Sequence, residues 1–234
     1  MHELSVSRPI KIVVLISADA EWQAVRQIFP VGEINVSPFG EWFILDDARG
    51  VVAFQGGWGK ISAAASTQYV IDRWKPELLI NLGTCGGFEG KIERGTIILV
   101  ERTIVYDIIE QMAEDLPFLE FYQTEIELSW LREPFPLPVV RSQMVSGDRD
   151  LVVDEIPTLI ERYGAVAGDW ESGAIAWVAE RNQTRLLILR GVSDLVGNAG
   201  GEAYGNYESF KQSARVILGR LLASLPLWLE CAGF

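Results

Sequence analysis

The sequence predicts an α/β fold: a single domain in which a mixed, mostly parallel central sheet is flanked by helices. Three observations predict it. Ile10 to Ile16 (IKIVVLI) and Leu78 to Leu82 (LLINL) are nearly continuous apolar runs, the pattern of strands buried on both faces. Strand patterns alternate with helical ones along the chain. No stretch of the 234 residues reads as a linker, a low-complexity tract or a repeat of fixed period.

After the first strand, Ala18 to Phe29 predicts a helix with Trp22, Val25, Ile28 and Phe29 on one face. Glu33 to Val36, Trp42 to Leu45 and Val51 to Phe54 predict short strands separated by Gly and Asp turns. Lys60 to Trp74 is Ala-rich and helical, and Pro76 stops it. The strand Leu78 to Leu82 runs into a glycine-rich turn, Gly83-Thr84-Cys85-Gly86-Gly87, and Thr96 to Val105 is a longer strand. Tyr106 to Pro138 carries acids, aromatics and four prolines and reads as an excursion over the surface. Val139 to Val145 returns to a strand. Leu151 to Tyr163 reads as a helix weakened by Pro157. Ala165 to Ala167 is a short strand, Glu171 to Arg181 a helix, Arg185 to Val192 the last strand, and Tyr204 to Leu222 a long amphipathic closing helix.

Composition removes many chemistries. Lys plus Arg is 20 and Asp plus Glu is 32, a net charge of −12, which repels phosphate backbones and excludes nucleic acid as an expected partner. The one histidine is His2, so Ser-His-Asp catalysis, Cys-His catalysis and His-ligated zinc are not expected. The two cysteines, Cys85 and Cys231, cannot build a metal cage, and so low a count points to a reducing compartment. Uncharged runs such as Leu78 to Phe88 fall well short of the roughly 20 residues a membrane span needs. Met-His-Glu-Leu-Ser has no basic region followed by an apolar one, so no signal peptide is expected. The expectation is an acidic cytoplasmic protein whose acid–base chemistry, if any, falls to carboxylates.

In parallel α/β sheets ligands bind beyond the carboxyl ends of strands. Those ends carry Ser17, Asp19 and Glu21; Gly83 and Thr84; Ser146-Gly147-Asp148-Arg149-Asp150; and Ser193-Asp194 just after Arg190, with Gly168-Asp169-Trp170-Glu171 adding two acids. Each has a plain structural reading. Glu21 and Glu171 suit helix starts, Ser193-Asp194 suits a turn, Arg190 suits neutralisation of a buried acid, and the tryptophans suit the core. Their coincidence at strand ends, with few cations among them, points to a site.

The order of six segments carries a resemblance: IKIVVLISADAEW (10–22), GGWGKISAA (56–64), INLGTCGGF (80–88), VSGDRDL (145–151), GDWESGAIAWVA (168–179) and LRGVSDLV (189–196). The chain resembles the purine nucleoside phosphorylase superfamily and, within it, the methylthioadenosine/S-adenosylhomocysteine nucleosidases. The likeness covers most of the chain except about 106–138. It implies that Asp194 protonates N7 of a departing purine and that Glu21 activates water. It implies that Arg190 and Thr84 orient that carboxylate or its water, and that Glu171 holds the ribose 2′- and 3′-hydroxyls. Trp170 stands where a methionine usually packs on the sugar, and Leu151 where the backbone reads the base edge. Gly86 and Ser193 complete the expected lining. Asp150 departs from the pattern, standing where many bacterial relatives stack a phenylalanine on adenine. Tyr106-Asp107 replaces a histidine.

The resemblance implies hydrolysis of a purine nucleoside, with 5′-methylthioadenosine and S-adenosylhomocysteine the favoured substrates, no cofactor or metal, and a homodimer. Phe118, Phe121, Tyr122 and Trp130 are the aromatics expected at the dimer surface. Phosphorolysis, hydrolysis of a futalosine-type nucleoside, and a non-catalytic nucleoside-binding module are the rival readings. Asn81, where related phosphorylases carry an arginine, and an expected pairing of Arg190 with Glu21 argue against phosphate as the nucleophile.

Overall fold

The computed structural model describes residues 8–30, 32–109 and 121–234. One sheet organises it. In chain order the elements begin with β1 (Ile12–Ile16), α1 (Asp19–Ile28), β2 (Asn35–Ser37), β3 (Gly40–Asp46), β4 (Val51–Gln55) and α2 (Gly59–Trp74). They continue with β5 (Leu78–Phe88), β6 (Ile97–Val105), β7 (Gln123–Glu125), β8 (Val140–Ser146) and, after a 3₁₀ turn, α3 (Ile156–Tyr163). Last come β9 (Ala167–Asp169), α4 (Ser172–Arg181), β10 (Leu186–Gly197), β11 (Gly200–Gly201) and α5 (Tyr207–Ala232).

The sheet runs β11-β10-β6-β8-β9-β5-β1-β4-β3-β2, with β7 beside β6. Strands β4, β1, β5 and β10 pair in parallel, as do β6, β8 and β9, and antiparallel pairs join these groups and form the edges. Because β10 pairs with both β6 and β5, the strands β5, β10, β6, β8 and β9 close into a ring. The alternation of side chains along β1 separates two cores. Ile12, Val14 and Ile16 pack with Trp22 and Val25 of α1 and with Ile217, Leu221 and Trp228 of α5. Val13 and Leu15 pack with Val70 of α2 and with Ile175 and Val178 of α4.

Several expectations are corrected. Gly83 to Gly87 are not a turn, because β5 continues through them to Phe88 and pairs with β10 along its length. Their glycines serve close packing: a Cβ on Gly83 would fall 2.0 Å from Arg190 Nη1, and one on Gly87 2.7 Å from Val192. Pro157 starts α3 rather than weakening it, since the first helical turn needs no backbone donor there. Ile28 is not on the buried face of α1; that face is Ala20, Glu21, Trp22, Ala24 and Val25. The described part of 106–138 runs over the surface but is more than an excursion. It contributes β7, and Leu128, Trp130, Leu131, Phe135 and Leu137 close over the β1–α5 core. The closing helix begins later than expected and carries Pro226 within it. Among the described residues, no helix is long and apolar enough to cross a membrane.

Candidate active site

A cavity of about 570 Å³ opens where β1, β5, β9 and β10 meet the helices, a size that suits a small-molecule ligand. It brings together Glu21, Thr84, Gly86, Asp150, Leu151, Trp170, Glu171, Ser193 and Asp194, residues drawn from five separate stretches of the chain. Arg190 does not line it but lies directly behind, 1% exposed.

Glu21 sits in the first turn of α1 and is 2% exposed. Its Oε1 accepts from the Thr84 backbone N–H at 2.6 Å and from the Thr84 hydroxyl at 2.8 Å; its Oε2 accepts from the Ala18 N–H at 3.2 Å. The helix N-terminus adds a favourable field for negative charge. Thr84 thus holds one oxygen of the Glu21 carboxylate with two donors.

Arg190 does not pair with Glu21. Its Nε lies 2.9 Å from Asp169 Oδ2, its Nη2 donates to Asn81 Oδ1 at 2.7 Å, and Glu171 is a longer ion pair at 3.9 Å. The reason is topological: β9, which ends at Asp169, and β10, which carries Arg190, both pair with β5, and the two side chains meet there. Asp169, named among the strand-end acids but given no role from the sequence, also accepts from the Ser146 hydroxyl at 2.6 Å and from the Ser172 backbone. Asn81 donates to the Leu15 carbonyl at 3.1 Å, so its amide braces β1 and Arg190.

Glu171 caps α4 through its backbone carbonyl, which accepts from the Ala174 and Ile175 N–H groups, and its side chain makes no cap bond. Its Oε1 accepts from the Gly59 N–H at 3.0 Å. Burial pushes its carboxyl well above the usual range; Arg190 opposes this, while Asp169 and Glu21 add to it. The Arg190 guanidinium also serves Asp169, so it offsets the desolvation of Glu171 only in part. Trp170 stacks on Trp58 with centroids 4.9 Å apart and planes 22° from parallel. Both line the cavity, so these two tryptophans belong to the site rather than the core.

Asp194 is held differently. Burial raises its carboxyl above the ordinary range, against the lowering effect of hydrogen bonds from Ser193 and from the Ala203 N–H. The Ser193 hydroxyl lies 2.6 Å from Asp194 Oδ1 and 3.2 Å from the Cys85 carbonyl. Neither residue lies past the end of its strand: β10 runs on to Gly197, and a register shift between Val192 and Asp194 turns them toward the cavity.

At the far end, Asp150 is exposed at the rim and Leu151 is buried. The Leu151 carbonyl accepts from the Tyr204 hydroxyl at 2.8 Å. Burial pushes that phenol up to about 12, so it stays a donor at neutral pH. Tyr204, Tyr207 and Phe210 all line the cavity, and sequence reasoning passed over them. Their helical spacing reads as ordinary amphipathicity, so no local signal marks them. No described residue of 106–138 reaches the cavity, and Phe118 lies outside the described residues.

Comparison with known proteins follows the same outline. The family model of the phosphorylase superfamily matches residues 11–225. A Staphylococcus aureus 5′-methylthioadenosine/S-adenosylhomocysteine nucleosidase is 28% identical over 199 residues, covering 78% of this chain and 83% of its own. The apo structure of Arabidopsis thaliana 5′-methylthioadenosine nucleosidase superposes with a TM-score of 0.72 at 24% identity, over 95% of this chain and 96% of that one. A futalosine hydrolase mutant of Helicobacter pylori superposes with a TM-score of 0.73 at 14% identity, over 94% of this chain and 98% of its own. A family model spanning this much of the sequence, on the fold and cavity described above, means that the chain belongs to the phosphorylase superfamily.

Proposed function

We propose that this protein hydrolyses the N-glycosidic bond of a purine nucleoside, with 5′-methylthioadenosine and S-adenosylhomocysteine as its substrates and adenine as the released base. The observation that carries the reading is the contrast between two carboxyl groups in one cavity. Glu21 receives three donors, whereas Asp194 is raised by burial and shares its neighbour's hydroxyl. Such opposed environments separate a base from an acid.

Cleavage of this bond passes through an oxocarbenium-like sugar. A purine leaves poorly as an anion, so Asp194 donates its proton to N7 as the bond breaks, and the base departs neutral. Glu21 takes a proton from a water that adds to the anomeric carbon, and its charge stabilises the sugar cation. Thr84 holds Glu21 in place for that transfer. Glu171 accepts from the ribose hydroxyls, Trp170 packs on the sugar, and Gly86 and Leu151 border the base. Arg190 acts from behind, offsetting the charge of Asp169 and Glu171 rather than touching the ligand.

Water is favoured over phosphate as the nucleophile. A phosphate dianion needs several free donors against the sugar. Arg190 is occupied by Asp169 and Asn81, and Asn81 is occupied by Leu15 and Arg190. The test is a nucleoside panel with product identification, run with and without phosphate. Hydrolysis gives the free ribose derivative at a rate indifferent to phosphate. A ribose 1-phosphate product would assign the chain to the phosphorylase branch instead.

The same reading includes a homodimer in the cytoplasm and a single domain over residues 1–234. Supporting the dimer, Trp58 and Ile61 at the start of α2 and Phe121 near β7 are exposed. Tyr122 stacks on Trp177, Trp130 lies under Arg185, and Phe121 itself meets Trp177 edge-on, so these aromatics also have partners within the chain. Two unpaired cysteines suit a reducing compartment.

A further inference from the structure

The first turn of α2 faces the sugar-side carboxylate, and its anchoring uses charges that the chemistry does not. Gly59 donates its N–H to Glu171 Oε1 at 3.0 Å, and the next residue, Lys60, donates its N–H to Asp148 Oδ1 at 2.7 Å. The Lys60 ammonium then bonds Asp107 Oδ1, with Asp148 Oδ2 at 3.9 Å. Asp107 Oδ2 in turn accepts from the Asp148 N–H at 2.8 Å. The loop is closed: α2 to the end of β8, β8 to the end of β6, and β6 back to α2 through Lys60.

Two glycines make this packing feasible. Gly59 has φ +81°, and a Cβ there would lie 3.0 Å from Asp148 Oδ1. A Cβ on Gly147 would lie 2.8 Å from the Tyr106 ring and 3.1 Å from the Asp107 carboxyl carbon. The ion pair is largely shielded, with Lys60 at 19% and Asp107 at 13% side-chain exposure, so solvent screens it less than a surface pair. None of these three charged side chains lines the cavity.

We propose that Lys60, Asp107 and Asp148 form a positioning clamp that sets the Gly59 N–H on Glu171 and thereby the ribose discrimination of the site. The inference rests on the reading of Glu171 as the ribose-binding carboxylate. The backbone of α2 supplies one bond to that carboxylate, and the direction of the bond depends on where the helix begins. With the ammonium removed, Asp107 and Asp148 face each other without a counter-charge. The first turn is then pushed away, and Glu171 turns off the sugar.

The test uses Lys60→Met, which keeps the aliphatic stem, and Lys60→Arg, which keeps the charge. With adenosine and 2′-deoxyadenosine as paired probes, Lys60→Met is expected to raise KM for the ribonucleoside about tenfold, as small misplacements of binding groups do. KM for the deoxynucleoside moves less than about twofold on the same grounds. Lys60→Arg restores most of the loss. In a Glu171→Ala background, Lys60→Met adds nothing further, because the clamp acts through Glu171.

Hydrogen exchange at the Gly59 amide is a second readout that needs no activity: its protection falls in Lys60→Met and is kept in Lys60→Arg. A folded Lys60→Met protein with unaltered Gly59 protection overturns the proposal, as does an equal loss on both probes. A wild type that cleaves and binds neither probe overturns the ribose reading itself. In that case, reduced Gly59 protection in Lys60→Met would still establish the clamp as the anchor of α2.

Discussion

Ser193 Oγ lies 2.6 Å from Oδ1 of Asp194, although successive side chains of a regular strand point to opposite faces. The register shift between Val192 and Asp194 in the β10–β5 pairing makes the contact feasible. The same hydroxyl is 3.2 Å from the Cys85 carbonyl. The Ser193 hydroxyl gives its proton to Asp194 Oδ1, a bond that favours the carboxylate, and burial outweighs it so that the carboxyl stays raised.

Asp194→Asn is expected to lower turnover on a purine nucleoside by at least about two orders of magnitude, the usual scale of general acid catalysis. It should not lower Tm. The folded carboxyl holds its proton to higher pH than the unfolded one, so its contribution to stability is lost as pH rises through the folded value. At neutral pH the amide removes that penalty. Steady-state kinetics beside thermal melts check both halves, and near-wild-type turnover would remove Asp194 from the mechanism.

Glu171→Ala is expected to weaken ribonucleosides more than their 2′-deoxy counterparts, because the role proposed for Glu171 includes a bond to the 2′-hydroxyl. The measurement is kcat/KM on matched pairs. Equal losses on both would contradict a specific 2′ contact.

Glu171 also predicts a pH effect on stability. Its buried carboxyl is raised by desolvation and by Asp169 and Glu21, against the pull of Arg190. A raised folded value means stability that is complete below the unfolded pKa and declines as pH climbs through the folded one. Wild-type Tm should therefore fall between mildly acidic and alkaline pH. In Glu171→Gln the fall should be smaller; parallel Tm curves for the two proteins would refute the linkage.

Sedimentation at micromolar concentration is expected to give a dimer. Trp58→Ser with Ile61→Ser, which removes two exposed apolar side chains at the start of α2, should shift the balance toward monomer. A wild-type monomer at that concentration would defeat the assignment.

What the sequence determined by itself was local or ordered along the chain. The apolar run of β1, the stop at Pro76 and the order of six short motifs are one-dimensional signals, and each maps to an element or to the cavity lining. Glu21, Thr84, Glu171 and Asp194 could be named because each sits in such a motif. The tertiary structure decided the pairings. β5 runs through Gly83 to Gly87 because those glycines leave room for Arg190 and Val192, a fact about neighbours across the sheet. Arg190 meets Asp169 instead of Glu21 because β9 and β10 both pair with β5 and their side chains meet there. Tyr204, Tyr207 and Phe210 reach the cavity only once the chain folds back from β10 into α5. Charge, burial and hydrogen-bond partners depend on distances through space, and a linear pattern carries those distances only where the chain itself is the ruler.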